Sequence, residues 1–251
     1  MHDNVEIDKI VTLARVAGEA IMEIYKRDFQ VDYKEDASPL TEADLKSNQI
    51  ICEGLEKLYP SIPLLSEENK VIDFEERQSW EYFWLIDPID GTKEFIKKND
   101  EFTVNIALIH KNRPVLGVVY APAIDEMYYG QEGKGAFLND KKLPLKNNLN
   151  PEVMLKVVAS KSHLSEETQA FIDALDTKKI EQVSKGSSLK LCMVAQGEAD
   201  IYPRLAPTME WDTAAAHAVV LASGKRVYQY DSEDEVVYNK ENLLNPWFVV
   251  R

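Results

Sequence analysis

The chain predicts an α+β first half followed by an α/β second half, and three features carry that prediction. Two amphipathic helical patterns open the sequence. A closely spaced series of strands and turns fills residues 102–135, and strand and helix patterns alternate from residue 154 onward. With 251 residues the chain can build one large domain or two modest ones sharing a cleft, and either buries a full core. We expect the division in the polar stretch 147–151, with an N-terminal α+β domain over 1–148 and a C-terminal α/β domain over 149–251.

The first helix follows from Ile7, Ile10, Val11, Ala14, Ala17, Ile21 and Ile24, which share one face, with Asn4 as its N-cap. Residues 30–34 alternate as a strand does, and Asp36-Ala37-Ser38-Pro39 turns the chain. A second helix starts at Thr41, keeps Leu45, Cys52, Leu55 and Tyr59 on one side, and stops at Pro60. Residues 62–65 form a short apolar strand ending in Ser66-Glu67-Glu68, and residues 84–86 end a second buried strand that Pro88 and Gly91 stop. Residues 102–110, 115–120 and 127–129 are further strands, with turns at 111–114 and at Gly133-Lys134-Gly135. In the second half, strands at 154–159, 180–183 and 200–202 alternate with helices at 166–175 and 187–196. A last helix opens at Trp211-Asp212-Thr213, and strands at 226–230 and 248–251 close the chain.

Function concentrates in Asp87-Pro88-Ile89-Asp90-Gly91-Thr92. Two acids three residues apart around a proline of fixed φ can converge on one point, with the Ile89 carbonyl and the Thr92 hydroxyl nearby. Carboxylates about 4 Å apart repel by roughly 4 kcal/mol at an effective dielectric of 20, so a cation is expected there. The donors are all oxygen, which suits Mg²⁺ or Mn²⁺ and not zinc. Divalent ions held this way commonly serve in-line displacement at phosphorus, and the Gly91 and Thr92 amides can receive phosphoryl oxygens. Two strands that end in acids, at Glu67 and at Asp87, suit neighbours in one sheet with their acidic ends at one edge.

Each acid also has an ordinary explanation. Asp44 fits a capping-box position after Thr41, Glu67 and Glu68 fit a solvated turn, and Asp212 fits the first turn of its helix. The competing Asp-x-Asp-Gly-Thr loop of the haloacid-dehalogenase phosphatases, which form an aspartyl-phosphate, does not match. One extra residue intervenes here, and Ile89 stands where the acid/base carboxylate belongs.

The net charge of −14, with no Lys/Arg cluster, argues against a nucleic-acid polymer as partner but leaves a small anionic substrate open. Cys52 and Cys192 are isolated in apolar patterns and read as reduced core thiols in a cytoplasmic protein. No apolar run is long enough to span a membrane.

Taken together, Asp87-Pro88-Ile89-Asp90-Gly91-Thr92, Ser66-Glu67-Glu68 and Trp211-Asp212-Thr213-Ala214-Ala215 resemble the inositol monophosphatase superfamily of Mg²⁺-dependent, Li⁺-sensitive phosphatases. The tail Lys93-Glu94-Phe95-Ile96 is similar to its bisphosphate nucleotidase branch, where inositol phosphatases more often have Thr-Asn-Phe. Glu101-Phe102-Thr103-Val104-Asn105, Ser160-Lys161-Ser162-His163, Gly186-Ser187-Ser188-Leu189-Lys190 and Pro207-Thr208-Met209-Glu210 agree with that branch. The resemblance implies the layered α-β-α-β-α sandwich of the inositol monophosphatase and fructose-1,6-bisphosphatase type, with the metal site on the first domain and the second closing the cleft. It implies release of the 3'-phosphate of 3'-phosphoadenosine 5'-phosphate, activity on the sulfated parent nucleotide, and a monomer or homodimer. The alternative is an inositol or sugar phosphatase.

By the same resemblance, Glu67, Asp87, the Ile89 carbonyl, Asp90 and Asp212 hold two or three Mg²⁺ ions. Asp44 and Thr92 orient and deprotonate the attacking water, with Glu67 also serving catalysis. Asp90, Gly91, Thr92, Asp212, His163, Ser187, Lys190 and Arg204 contact substrate. Leu205 stands where the inositol branch has a hydroxyl-gripping acid, and His217 is left as structural. Two departures lie outside the site: Leu221-Ala222-Ser223-Gly224 replaces the usual Gly-Gly ending, and Asn139-Asp140 replaces an Asn-Gly turn.

Overall fold

Apolar periodicity builds the first element. In α1 (Ile7–Tyr25), Ile10, Ala14, Ala17, Ile21 and Ile24 are buried along one stripe. The computed structural model describes residues 5–34, 39–70, 72–146, 154–159, 165–176 and 179–251. Asn4, the turn residues 36–38, the stretch 147–151 and His163 lie outside them. The described helix starts after Glu6, whose side chain makes no capping bond. β1 (Val31–Tyr33) pairs antiparallel with β2 (Pro39–Thr41), which leads directly into α2 (Glu42–Leu58).

The buried face of α2 differs from the expected one. Leu45 is exposed, and Ala43, Asp44, Ser47, Ile51 and Leu55 face inward. Two polar residues on that face are the reason the apolar pattern misleads: Ser47 donates to the Pro88 carbonyl at 2.9 Å, and Asp44 faces Thr92.

β3 (Leu64–Ser66), α3 (Phe74–Arg77), β4 (Tyr82–Asp90), α4 (Thr92–Ile96), β5 (Thr103–His110), β6 (Arg113–Ala121), β7 (Glu126–Gln131), β8 (Gly135–Leu138) and β9 (Lys141–Lys142) follow. The strands form one sheet in chain order, with β3 parallel to β4 and every later neighbour antiparallel. Pro88 does not stop β4, which continues to Asp90 through a bulge: Asp87 pairs with Asn105 and Asp90 with Thr103. Proline fits there because a bulge leaves its position without a ladder bond to give. Pro114 similarly falls inside β6 at a second register shift, so the turn shrinks to Lys111 and Asn112. Asn139 and Asp140, both at positive φ, make the tight turn before β9.

β10 (Leu155–Ala159), α5 (Glu166–Asp173) and β11 (Ile180–Ser184) make one parallel β-α-β unit. α6 (Leu189–Gln196), β12 (Tyr202–Arg204), α7 (Glu210–Ala222), β13 (Val227–Gln229) and β14 (Phe248–Val250) complete the chain. The α/β alternation therefore covers only its first crossover. The last strands form an antiparallel sheet, β12-β14-β13, and β12 starts two residues later than expected, which puts Arg204 on the strand.

Three cores fix the layers. Alternate residues of β4 divide between two of them, Trp84 and Ile86 packing with α1 and α2, Phe83 and Leu85 with α6 and α7. The second core takes in Val158, Tyr202 and Phe248 from the smaller sheets, and a third, outer core joins Val157, Ile201 and Val249 to Ile172 of α5. The order is α-β-α-β-α. α7 lies close on the large sheet because Gly117 and Gly130 are paired neighbours beneath it, and a Cβ on Gly117 would strike the Ala215 carbonyl. That close seat delivers Asp212 to the acidic end of β4.

Candidate active site

Parallel pairing aligns the two acidic strand ends. Glu67 N–H donates to the Ile86 carbonyl at 3.1 Å, so Glu67 stands beside Asp87. Asp87 falls on the same face of β4 as Phe83 and Leu85, the face α7 covers. Glu67, Asp87 and Asp212 each bring an oxygen within 4.8 Å of the others. Asp90 stands next to them across the bulge, its Oδ2 taken by the Ser188 amide at 2.6 Å.

Two acids have a double role. Asp44 and Asp212 both sit at the third position of their helices and both cap backbone: Asp44 Oδ2 accepts from Thr41 N–H at 2.8 Å, and Asp212 Oδ2 from Met209 N–H at 2.8 Å. The second oxygen stays available. In Asp44 it accepts the Thr92 hydroxyl at 3.1 Å, and that hydroxyl also lies 3.3 Å from the Ile89 carbonyl. Capping and site duty are compatible because a carboxylate has two oxygens.

The electrostatics are those of a buried cluster of like charges. Burial, with like charge from Glu67, Asp90 and Asp212, holds the Asp87 carboxyl well above the usual range. Burial and Asp90 do the same to Asp212. Burial raises Asp90 to about 6 against the opposing pull of Lys190 and the Ser188 amide. Oxygen donors alone, buried and mutually repelling, fit a hard divalent cation such as Mg²⁺.

Beside the acids, one cleft is lined by Asp90, Gly91, Glu94, Ser187, Lys190, Arg204 and Asp212. Lys190 is 7% exposed, donates to the Ser187 carbonyl at 2.8 Å, and burial lowers it to about 8 despite Asp90. Arg204 donates to the Pro207 carbonyl at 3.0 Å, while its Nε is buried without a partner among the described residues. Ser187 lies in the cleft wall, but its hydroxyl faces the Asp90 and Glu101 carbonyls at 2.9 and 2.7 Å, and one proton serves only one of them at a time. Gly91 sits at φ +91°, and a Cβ there would collide with Ser187 Oγ.

One residue that contacts the acid cluster had no signal in the sequence. Lys34, a lone lysine after a three-residue strand, reaches Glu67 Oε1 at 2.7 Å and Glu68 Oε1 at 2.6 Å. Burial lowers its basicity, but bonding to the two glutamates outweighs this and leaves it raised. Glu68, mainly through burial, rises to about 7. His217 is structural, as expected: it is fully buried, bonded through Nδ1 to the Tyr238 hydroxyl at 2.9 Å, and pushed by burial down to about 3.

With this geometry in view, residues 3–247 match the model of the inositol monophosphatase family. The chain belongs to that family. It is 45% identical to the 3'(2'),5'-bisphosphate nucleotidase CysQ of Salmonella typhimurium, with 97% of this chain and 98% of that protein covered. Against the protein of that name from Escherichia coli K12 identity is 44%, with the same coverage. Among solved structures it resembles CysQ from Bacteroides thetaiotaomicron, a bacterial member of the inositol monophosphatase family, with a TM-score of 0.88, 43% identity and coverage of 99% and 98%. Among the described residues, no helix is long and apolar enough to cross a membrane.

Proposed function

We propose that the chain is a Mg²⁺-dependent phosphomonoesterase that removes the 3'-phosphate of 3'-phosphoadenosine 5'-phosphate, giving AMP and phosphate, and that it also accepts the sulfated parent nucleotide. The observation that carries this reading is one cleft in which Asp90 and Asp212 meet Lys190 and Arg204. A phosphomonoester with one anionic group needs the acids and their metal alone. A bisphosphate brings a second anion, and two cations, Lys190 buried and Arg204 half-buried, match it. Leu205, 1% exposed, offers no acid to grip the hydroxyls of a cyclitol. The names of the similar nucleotidases support the same substrate class.

Glu67, Asp87, the Ile89 carbonyl, Asp90 and Asp212 would hold two or three ions. When bound, Mg²⁺ supplies Lewis-acid polarisation of the phosphoryl group and charge at the leaving oxygen. Thr92 donates its proton to Asp44, so its oxygen is left with lone pairs to orient the attacking water. Burial raises Asp44, the right direction for a base that must take up a proton. The Gly91 and Thr92 amides act on phosphoryl oxygens as local donors, since the five residues of α4 give little macrodipole. Lys190, Arg204, Ser187 and His163 hold the rest of the nucleotide. In this scheme residues 1–148 supply Glu67, Asp87 and Asp90, and residues 149–251 close the cleft with Asp212 and the two cations. Two free thiols, Cys192 buried and Cys52 half-buried, agree with a cytoplasmic setting.

Phosphate release with Mg²⁺ from the adenosine bisphosphate, inositol 1-phosphate and fructose 1,6-bisphosphate tests the proposal. The bisphosphate nucleotide should be preferred by kcat/KM, and preference for inositol phosphate would overturn the substrate assignment. Because Lys190 titrates at about 8, anion binding should weaken as pH rises through that value. The expected result is a KM for the nucleotide that climbs above pH 8 in the wild type and stays flat, at a higher level, in Lys190→Met.

A further inference from the structure

Asp212 reaches the acid cluster from the second half of the chain, so its position depends on what holds the first turn of α7. That turn is gripped by residues 239–245. Glu210 N–H donates to the Leu243 carbonyl at 2.9 Å and Asn245 N–H to the Thr208 carbonyl at 2.8 Å. Asn245 Nδ2 adds bonds to the Met209 carbonyl at 2.7 Å and Thr213 Oγ1 at 3.0 Å, on either side of Asp212. Glu210, which is 0% exposed, accepts from the amides of Asn239 at 2.7 Å and Lys240 at 3.1 Å and pairs with Lys240 Nζ at 2.5 Å.

The segment is held in turn from the first half. Arg77 of α3, only 2% exposed, donates to the Lys240 carbonyl at 2.6 Å, the Glu241 carbonyl at 2.8 Å and Asn239 Oδ1 at 3.0 Å. Asn239 Nδ2 answers on the Arg77 carbonyl at 2.8 Å. Its Nε donates to the Ile72 carbonyl at 3.3 Å, and a buried guanidinium that ties Ile72 to residues 239–241 fixes where that segment lies.

We infer that Arg77, Glu210 and Asn245 are positioning residues for the metal centre, joined through residues 239–245 into a strap that holds Asp212 against Glu67 and Asp87. The inference rests on reading the acid cluster as a metal site. Without a cation the three carboxylates repel, and the strap opposes that repulsion; when it is loosened, the turn carrying Asp212 retreats and metal binding must re-order it. Partners that orient ligands in this way typically change metal affinity about 10- to 100-fold. Linkage then requires the converse: metal binding must stiffen the strap by the same free energy.

Isothermal titration with Mg²⁺ tests the first half of this statement. Arg77→Met and Asn245→Ala should raise the Mg²⁺ dissociation constant at least about tenfold, and excess Mg²⁺ should restore most of kcat. Ile10→Val in α1, destabilised in the opposite helix layer, should bind Mg²⁺ as the wild type does. Hydrogen exchange of the wild type tests the second half without any variant: the amides of Asn239, Lys240 and Asn245 should exchange more slowly with Mg²⁺ than with chelator. Unchanged affinity in folded Arg77→Met and Asn245→Ala, or exchange at these amides indifferent to Mg²⁺, overturns the inference. A wild type that binds no Mg²⁺ overturns the metal reading itself.

Discussion

Asp87→Asn is expected to lower phosphate release by about 10³-fold or more and, in the absence of metal, to raise the melting temperature. Both effects come from the same carboxylate. Asp87 is buried among Glu67, Asp90 and Asp212, and without a cation its charge opposes folding. Asparagine keeps the oxygen that accepts the Ile89 amide at 3.0 Å and removes the charge. The pH dependence follows from the raised carboxyls. A group that binds its proton more tightly in the folded state stabilises below its unfolded value, about 4, and that contribution is lost as pH rises through the folded value. Asp90 passes that point at about 6 and Glu68 at about 7, with Asp87 and Asp212 also raised. Thermal melts in chelator should therefore fall between pH 5.5 and 7.5 for the wild type and fall less for Asp87→Asn. Added Mg²⁺ should raise the wild-type melt most at the higher pH and the variant little. A variant that melts below the wild type in chelator at pH 7.5 would show that repulsion is not what this site stores.

The sequence displayed what is periodic or local. The stripe on α1 follows from three- and four-residue spacing, the meander from β4 to β8 from two-residue alternation and its turns, and the acidic ends of β3 and β4 from where their apolar runs stop. What it hid depends on which atom of a residue meets which neighbour. Asp44 and Asp212 look like caps and are caps; that each has a second oxygen turned elsewhere is a fact of tertiary packing. Pro88 looked like a strand end because a proline gives no ladder bond, yet a bulge makes that loss harmless. Lys34 and Arg77 have no local mark, since Glu67, which Lys34 meets, lies 33 positions away in the chain and residues 239–241, which Arg77 meets, lie 162 or more away. A lysine or arginine ordinarily ends in water, and only the fold shows one pairing with Glu67 and the other clasping residues 239–241.

Asp44→Asn is expected to reduce kcat by about 10²- to 10⁴-fold with KM little changed. Asp44 Oδ2 accepts both the Thr41 amide at 2.8 Å and the Thr41 hydroxyl at 2.6 Å, so asparagine must keep its oxygen there or leave a buried N–H unpaired. Its NH₂ group then faces Thr92 Oγ1, where Asp44 had an acceptor. The hydrogen bond reverses: Thr92 becomes the acceptor and turns its own proton toward the Ile89 carbonyl, 3.3 Å away. The hydroxyl loses a lone pair for water, and no carboxylate remains to take the proton. Helix α2 keeps its cap, so stability should shift by no more than about 1 kcal/mol. Thr92→Ala should cause a loss of similar size if, as proposed, both residues act on one water. The double variant should then be hardly worse than either single one, as residues that act as a unit do not add. Losses that multiply in the double variant would mean that Asp44 and Thr92 act separately, and the pair could not be the relay that activates water.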